Sequence, residues 1–243
     1  MKSNTVLTST EHILKHGRKI VCIGRNYVEH AKELGNPVPK EPFFFLKPTT
    51  SYIRSGSIII LPNATANVHH EIELGVVIGN NEQACQGVSE EQAMSHIKGY
   101  LLALDLTERT LQGQAKNAGK PWSMSKGFDT FCPISDQMIE ATATATALDP
   151  STSLWCKVNG QTRQNGPIGD MIFSIPKLIS YISDCMTLQE NDVILTGTPQ
   201  GVGPIVPGDV IEGGLVLGNL QNANENANNE VLSMKFEVAA RDA

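Results

Sequence analysis

Short runs of apolar residues separated by turn-forming residues dominate the chain. A run at 19–23 ends at Gly24, as a buried strand entering a loop does. Alternating positions on both sides of Asn159 and Gly160 predict a hairpin, because this dipeptide favours a tight turn. Four further runs have the length and the β-branched or aromatic content of strands, at 43–47, 57–62, 71–79 and 100–107.

Two segments have helical character. A short one at 27–34 stops at Gly35, Asn36 and Pro37. Apolar residues after Ser174 recur at helical spacing and predict a core-facing helix: Ile175, Leu178, Ile179, Ile182 and Met186. No repeat of fixed period is visible, and regular helices do not separate the strands. We therefore expect a β-rich α+β fold, a sandwich or roll with a few short helices, rather than a doubly wound parallel sheet.

Composition and charge narrow the function classes. Of the 243 residues, 40% are hydrophobic and 18% charged, which suits one globular domain over 1–243, with a lead-in at 1–18. A polar tract predicts a surface loop insertion at 218–229. The net charge of −6 argues against a nucleic-acid partner, and no apolar run or signal peptide suggests a membrane or secretion. We therefore expect a cytoplasmic protein.

Three acidic residues lie within apolar strands. Strand periodicity places Glu71 and Glu73 on one face, about 7 Å apart. Asp105 lies in another apolar run, where a carboxylate is costly to bury without a partner. Like charges at this spacing call for water or a cation, and hard oxygen ligands favour Mg²⁺ or Mn²⁺. The alternative is a solvated strand face with an unrelated aspartate.

Several residues could act as a base or bind an anion. His30 and Glu33 share a helix surface, so the carboxylate could orient the imidazole as a base for water. Lys126 could stabilise a developing enolate, and Arg25 could bind a carboxylate in bidentate fashion, with Lys47 a weaker candidate. Taken singly, each is also compatible with an ordinary solvated side chain.

An ordered set of motifs resembles the fumarylacetoacetate hydrolase superfamily, and most of all its acylpyruvate hydrolase branch. The resemblance runs from about residue 19 to residue 237. Its motifs are GRNYxxH, FLKP, HHExELGVVIG, LDLTxR, PWxxxKxFD, VNGxxRQ, MIFSIPxLIxY and ILTGTPxGVGP. It implies a mixed β-sandwich roll that usually forms a homodimer and acts on a small 2-oxo acid.

The resemblance also implies residue roles. It gives Glu71, Glu73 and Asp105 as ligands of Mg²⁺ or Mn²⁺, and it makes His30 and Glu33 a water-activating dyad on a lid. Lys126 would support the substrate's oxygens. The residues expected at the substrate are Arg25, Lys47, Arg109, Gln112 and Thr198.

The predicted reaction is metal-dependent hydrolysis of a carbon–carbon bond in a 2,4-dioxo acid, which gives pyruvate and a carboxylic acid. Oxaloacetate tautomerisation or decarboxylation, or isomerisation of a 2-hydroxy-diene-dioate, is the alternative at the same site. A non-catalytic, metal-stabilised domain that binds a small acid is a third reading. The branch commonly has Ala-Arg-Asp where this chain has Glu108, Arg109 and Thr110, so substrate preference stays open.

Overall fold

Strands contain more of the described residues than helices do. The computed structural model describes residues 5–35, 37–63, 65–79, 84–142, 147–218 and 230–241. The strands β1 to β17 are, in chain order, Leu7–Ser9, Ile20–Ile23, Phe44–Lys47, Tyr52–Arg54, Ile58–Leu61, Val68–His70, Ile72–Ile78, Ile97–Leu104, Thr107–Glu108, Cys132–Ile134, Gln137–Glu140, Ser153–Val158, Gln161–Pro167, Val193–Leu195, Gly203–Ile205, Val210–Val216 and Glu230–Ala240.

The helices are short and few in the described residues. The α-helices α1 to α6 are Glu11–His16, Val28–Glu33, Glu90–Ala93, Arg109–Asn117, Ser123–Lys126 and Ile175–Cys185. Single 3-10 turns lie at Thr49–Ser51, Met94–His96 and Ile168–Asp170. Within the described ranges, no helix combines the length and apolar character that a membrane crossing requires. The prediction of a strand-rich α+β fold with a few short helices is confirmed.

The strands form three sheets. The largest has nine strands in the order β1-β11-β8-β7-β14-β2-β3, with β10 pairing to β8 and β4 pairing to β10. A five-stranded sheet runs β13-β12-β16-β17-β5, and a three-stranded sheet runs β15-β6-β9. The main hydrophobic core contains side chains from β7, β8, β12, β16 and β17. Strand β7 is buried along its whole length, because β8 and β14 flank it within the sheet and its two faces contribute to two different hydrophobic clusters.

Local signals in the sequence explain two further elements. Asn159 and Gly160 have φ angles of 52° and 74°, and they close the predicted hairpin between β12 and β13. Ser174 caps α6 by accepting a hydrogen bond from Lys177 N. Met186, the last member of the predicted apolar stripe, lies beyond the helix in extended conformation.

The structure differs from the sequence-based prediction in the N-terminal lead-in, and it describes only one residue of the predicted loop insertion. The predicted lead-in 1–18 contains β1 and α1, and β1 pairs with β11, so part of it belongs to the main sheet. Of the predicted insertion 218–229, only Gly218 is described; it donates to Thr152 Oγ1 at 3.2 Å. Residues 219–229 lie outside the described part of the chain.

Candidate metal centre and active site

Three buried carboxylates meet where β7 and β8 pair at the centre of the main sheet. Ile72 lies opposite Leu104, and Asp105 N donates to Glu71 O at 2.9 Å. This register brings Asp105 beside Glu71 and Glu73. The three residues are 5%, 1% and 1% exposed, and one carboxylate oxygen from each lies within 4.8 Å of the others.

Cationic side chains neutralise two of the three carboxylates, and a hydroxyl group donates a hydrogen bond to one of them. Lys126 Nζ donates to Asp105 and lies 3.4 Å from Glu71 Oε2. Arg109 Nη2 lies 2.8 Å from Glu71 Oε1, which also accepts from Thr107 Oγ1 at 2.7 Å. Burial favours the neutral acid at Glu71, but Lys126 and Arg109 outweigh it and hold the pKa of Glu71 well below its usual value.

Glu73 has no such cation in direct contact among the described residues. Its Oε2 accepts from Gly197 N at 2.7 Å. Burial, and then the charges of Asp105 and Glu71, raise the pKa of Glu73 well above the ordinary glutamate value. An oxygen-liganded divalent cation fits this set, because it supplies the positive charge that Glu73 lacks and takes carboxylate ligands. Glu71, Glu73 and Asp105 are the residues that would hold it.

Lys126 is a fixed cation rather than a surface residue. Its side chain is 2% exposed at the end of α5. Burial lowers the pKa of Lys126, but Asp105 and Glu71 raise it further, so the net shift is upward and the ammonium stays charged. The nitrogen also lies 4.7 Å from the centre of the Phe45 ring.

His30 and Glu33 form the expected pair on α2, but His30 is buried. The imidazole Nδ1 lies 3.5 Å from Glu33 Oε2, and His30 is 4% exposed. Burial lowers the pKa of His30, while the charge of Glu71 acts in the opposite direction. Glu33 is 35% exposed and accepts from Gly201 N at 3.1 Å. The arrangement holds a neutral imidazole beside the carboxylates.

A small cavity of about 40 Å³ joins the carboxylates to His30. Most predicted site residues line it, and Lys116 lines it without having been singled out in the sequence. The lining residues are Ile23, Gly24, Arg25, His30, Leu34, Phe45, Glu71, Glu73, Asp105, Arg109, Gln112, Lys116, Trp122, Lys126 and Thr198.

Two predicted substrate residues have direct contacts with other site residues. Lys47 does not line the cavity; its buried ammonium donates to Asp105 Oδ1 at 2.7 Å and to Leu106 O at 2.9 Å. Lys47 therefore contacts the carboxylate cluster through Asp105 and does not itself line the cavity, unlike the other predicted substrate residues. Arg109 lines the cavity and also donates to Gln112 Oε1 at 2.9 Å.

Gln164 is a buried residue of the site that the sequence patterns did not single out as functional. Its Nε2 donates to Thr198 Oγ1 and to Pro199 O, both at 2.8 Å. Its Oε1 accepts from Ile72 N at 3.0 Å and lies 3.0 Å from His70 Nδ1. All four hydrogen-bonding positions of the amide are thus occupied. Gln164 joins β7, which carries Glu73, to the loop that carries Thr198.

Comparison with known proteins identifies similar sequences over most of the chain. Residues 19–223 match the family model described as fumarylacetoacetate (FAA) hydrolase C-terminal. A mitochondrial oxaloacetate tautomerase of Arabidopsis thaliana is 53% identical over 206 residues, which cover 84% of this chain and 89% of the relative. A mitochondrial oxaloacetate decarboxylase of Dictyostelium discoideum is 50% identical, with 82% and 89% covered.

A solved structure supports the fold assignment and the presence of a metal in related proteins. The fumarylpyruvate hydrolase of Pseudomonas aeruginosa, in complex with Mn²⁺ and pyruvate, is 32% identical with a TM-score of 0.77. The match covers 93% of this chain and 91% of that one. The predicted superfamily and its roll-type fold are confirmed.

These similarities change two expectations. The predicted cytoplasmic location is wrong, because relatives from Arabidopsis, Dictyostelium and cattle are all named mitochondrial. The relatives' names also favour the alternative chemistry, on oxaloacetate, over acylpyruvate hydrolysis. That the related proteins are enzymes agrees with the catalytic rather than the purely binding interpretation.

Proposed function

The chain belongs to the fumarylacetoacetate hydrolase family, and from this premise we propose that it is a divalent-metal-dependent oxaloacetate tautomerase. The observation that carries the proposal is the buried His30 imidazole. It lines the same cavity as Glu71, Glu73 and Asp105, and burial lowers its pKa so that it is neutral near pH 7. A neutral imidazole next to an enolisable 2-oxo acid is suited to moving one proton. The 53% identity with an oxaloacetate tautomerase supports this choice of substrate.

The proposed reaction moves a proton between carbon 3 and the oxygen on carbon 2. Glu33 faces Nδ1 of His30, which favours the tautomer with its proton there and leaves Nε2 as the basic atom. Nε2 takes a proton from carbon 3, negative charge moves onto the carbon 2 oxygen, and the imidazolium returns that proton to this oxygen, which completes the enol and restores the neutral imidazole. The reverse sequence gives the keto form, and no bond of the carbon skeleton breaks.

Other residues stabilise this charge movement. A cation held by the three carboxylates would supply Lewis-acid polarisation of the 2-oxo acid. Lys126 adds a fixed positive charge in the cavity wall, where negative charge on oxygen develops. Gln112 lines the same cavity and offers its amide NH₂ group to the substrate, because its Oε1 already accepts from Arg109. Thr198 also lines the cavity, but its hydroxyl proton is donated to Ile72 O.

The cofactor, compartment and assembly are part of the proposal. Mg²⁺ and Mn²⁺ both suit three carboxylate oxygens, and the Pseudomonas relative binds Mn²⁺. The names of the relatives support a mitochondrial location. The homodimer that the family resemblance implied stays a prediction.

Hydrolysis of an acylpyruvate is the second candidate function. The approach of Glu33 to His30 is the observation that favours it, because a carboxylate-paired histidine can deprotonate water for attack on a carbonyl. The similarity to the Pseudomonas fumarylpyruvate hydrolase points the same way. Decarboxylation of oxaloacetate, named for the Dictyostelium relative, would use the same carboxylates and Lys126.

The products separate these functions. Purified protein is given Mg²⁺ or Mn²⁺ and either oxaloacetate or acetylpyruvate, with Glu71→Ala as the variant that lacks a proposed ligand. We expect keto–enol conversion of oxaloacetate to be faster than in a protein-free control with the same metal ion, with no more loss of total oxaloacetate than in that control, and we expect the control rate in Glu71→Ala. Pyruvate and carbon dioxide formed faster than in the control would identify a decarboxylase, and pyruvate with acetate from acetylpyruvate would identify a hydrolase.

A further inference from the structure

Four positively charged side chains line the cavity, but only two of them have acidic partners. Lys126 contacts Asp105 and Glu71, and Arg109 contacts Glu71. Arg25 and Lys116 make no ion pair with a carboxylate anywhere in the described ranges. The described residues therefore provide no counterion for part of the positive charge in this cavity.

Arg25 is held in place by the loop that follows β2. It adopts a φ of 57°, and its guanidinium lies 5.3 Å from the centre of the Phe43 ring. It is half-buried at the cavity wall. A planar cation fixed in this way can bind a carboxylate with two parallel hydrogen bonds.

Lys116 approaches the same cavity from α4. It lies one helical turn after Gln112, so both side chains are on the same face of the helix. Burial lowers the pKa of Lys116, and the nearby charges of Arg25 and Arg109 lower it further. These like charges repel one another until an anion is present between them.

We infer that Arg25 and Lys116 form a subsite for a second carboxylate of the substrate, so that the enzyme selects a 2-oxo dicarboxylate over a 2-oxo monocarboxylate. The inference rests on the proposed function for the location of the reacting end, at Glu71, Glu73 and Asp105. With that end at the metal carboxylates, the two unpaired cations are left for the distal end. An uncharged acyl chain would leave them without a partner.

A diffuse positive field is the competing explanation for any preference for dianions. Lys120 separates the two explanations. Like Lys116 it is an exposed lysine, and it lies just after α4, four residues from Lys116, but it does not line the cavity. Its replacement changes the net charge of the protein by the same amount. A field effect would respond to Lys120→Gln, whereas a contact subsite would not.

The test uses two ligands that cannot enolise and differ at one group. Dimethyloxaloacetate has a carboxylate where trimethylpyruvate has a methyl group, and both have the same 2-oxo acid end. Dissociation constants are measured by calorimetry on the Mg²⁺-loaded protein, for the unaltered chain and for Lys116→Gln, Arg25→Gln and Lys120→Gln. Melting temperatures check that each variant is folded.

We expect the unaltered chain and Lys120→Gln to bind the dicarboxylate at least about tenfold more tightly than the monocarboxylate. Lys116→Gln and Arg25→Gln should each reduce this preference by about tenfold, with little change for trimethylpyruvate. Equal weakening for both ligands, or no weakening, would overturn the subsite. The dissociation constants are measured without turnover and decide only whether the subsite exists. Absence of tautomerase activity in the separate activity assay would overturn the proposed function.

Discussion

Gln164 provides a quantitative test of how the site is built. It is fully buried, and its amide contacts both β7 and the loop that carries Thr198. Methionine has a similar length and volume but none of these hydrogen bonds. The substitution Gln164→Met therefore removes the contacts with little change in the volume of the side chain.

The expected cost follows from the groups that lose their partners. Ile72 N and Pro199 O lose the hydrogen bonds that Gln164 provides, whereas His70 Nδ1 loses Gln164 Oε1 but keeps its contact with Cys156 Sγ at 3.8 Å. Thr198 keeps its donation to Ile72 O at 2.7 Å. Each buried group left unsatisfied costs about 1–3 kcal/mol, so the free energy of unfolding should fall by about 2–6 kcal/mol. That is a large part of the roughly 5–15 kcal/mol typical of a folded domain.

The assay compares Gln164→Met with Gln161→Met in urea, both without added metal. Gln161 lies on the same strand, β13, but its side chain is exposed, so its replacement should cost little. Because Ile72 lies between Glu71 and Glu73, we also expect Gln164→Met to weaken Mn²⁺ binding by about tenfold. Equal urea midpoints for the two variants, with unchanged Mn²⁺ affinity, would refute the reasoning.

Three further predictions concern single residues. Gly201→Ala should lower the free energy of unfolding in urea by at least about 2 kcal/mol, because the φ angle of Gly201 is +95° and a Cβ there would lie 2.0 Å from Arg163 O. Gly208→Ala, at a φ of +92° with no atom within 4 Å of the added Cβ, should lower it less, and equal losses in the two variants would contradict this prediction. Glu73→Gln should abolish the rise in melting temperature on adding Mn²⁺ and should leave the metal-free protein at least as stable as the unaltered chain near pH 7. The pKa of Glu73 is raised in the folded state, so the stability of the metal-free unaltered chain falls as the pH rises above the pKa of an unfolded glutamate; a metal-free Glu73→Gln variant that is destabilised would contradict this prediction. The pKa of His30 is lowered and the base must be deprotonated, so kcat/KM for tautomerisation should fall with acidification only below about pH 6.5. A pH profile of kcat/KM whose acidic decline is centred above pH 7 would exclude His30 as the base.

Strand periodicity was sufficient for part of the metal centre. It placed Glu71 and Glu73 on one face, and both are buried there. It could not place Asp105 beside them, because that contact depends on the antiparallel register of β7 and β8. Local sequence patterns do not determine the register between two strands in different parts of the chain.

Burial was the property that the sequence predicted least well. Lys126 and Lys47 could each have been solvated lysines, but both are buried because carboxylate partners from other segments compensate their charges. His30 lies on a short helix that would be marginal alone, and tertiary contacts bury its imidazole. Gln164 ends the motif VNGxxRQ, but Arg163, beside it in that motif, is exposed, so the motif alone did not predict that Gln164 is buried.

The central claim is that His30 moves a proton at carbon 3 of oxaloacetate held at the carboxylate centre. It is tested most directly by following deuterium entry at carbon 3 by NMR in D₂O, with Mg²⁺, for the unaltered chain and His30→Ala. The account predicts exchange well above the uncatalysed rate in the unaltered chain, and exchange at the uncatalysed rate in His30→Ala with Mn²⁺ affinity retained. Equal exchange rates in the two proteins, whether above the uncatalysed rate or equal to it, would contradict the account.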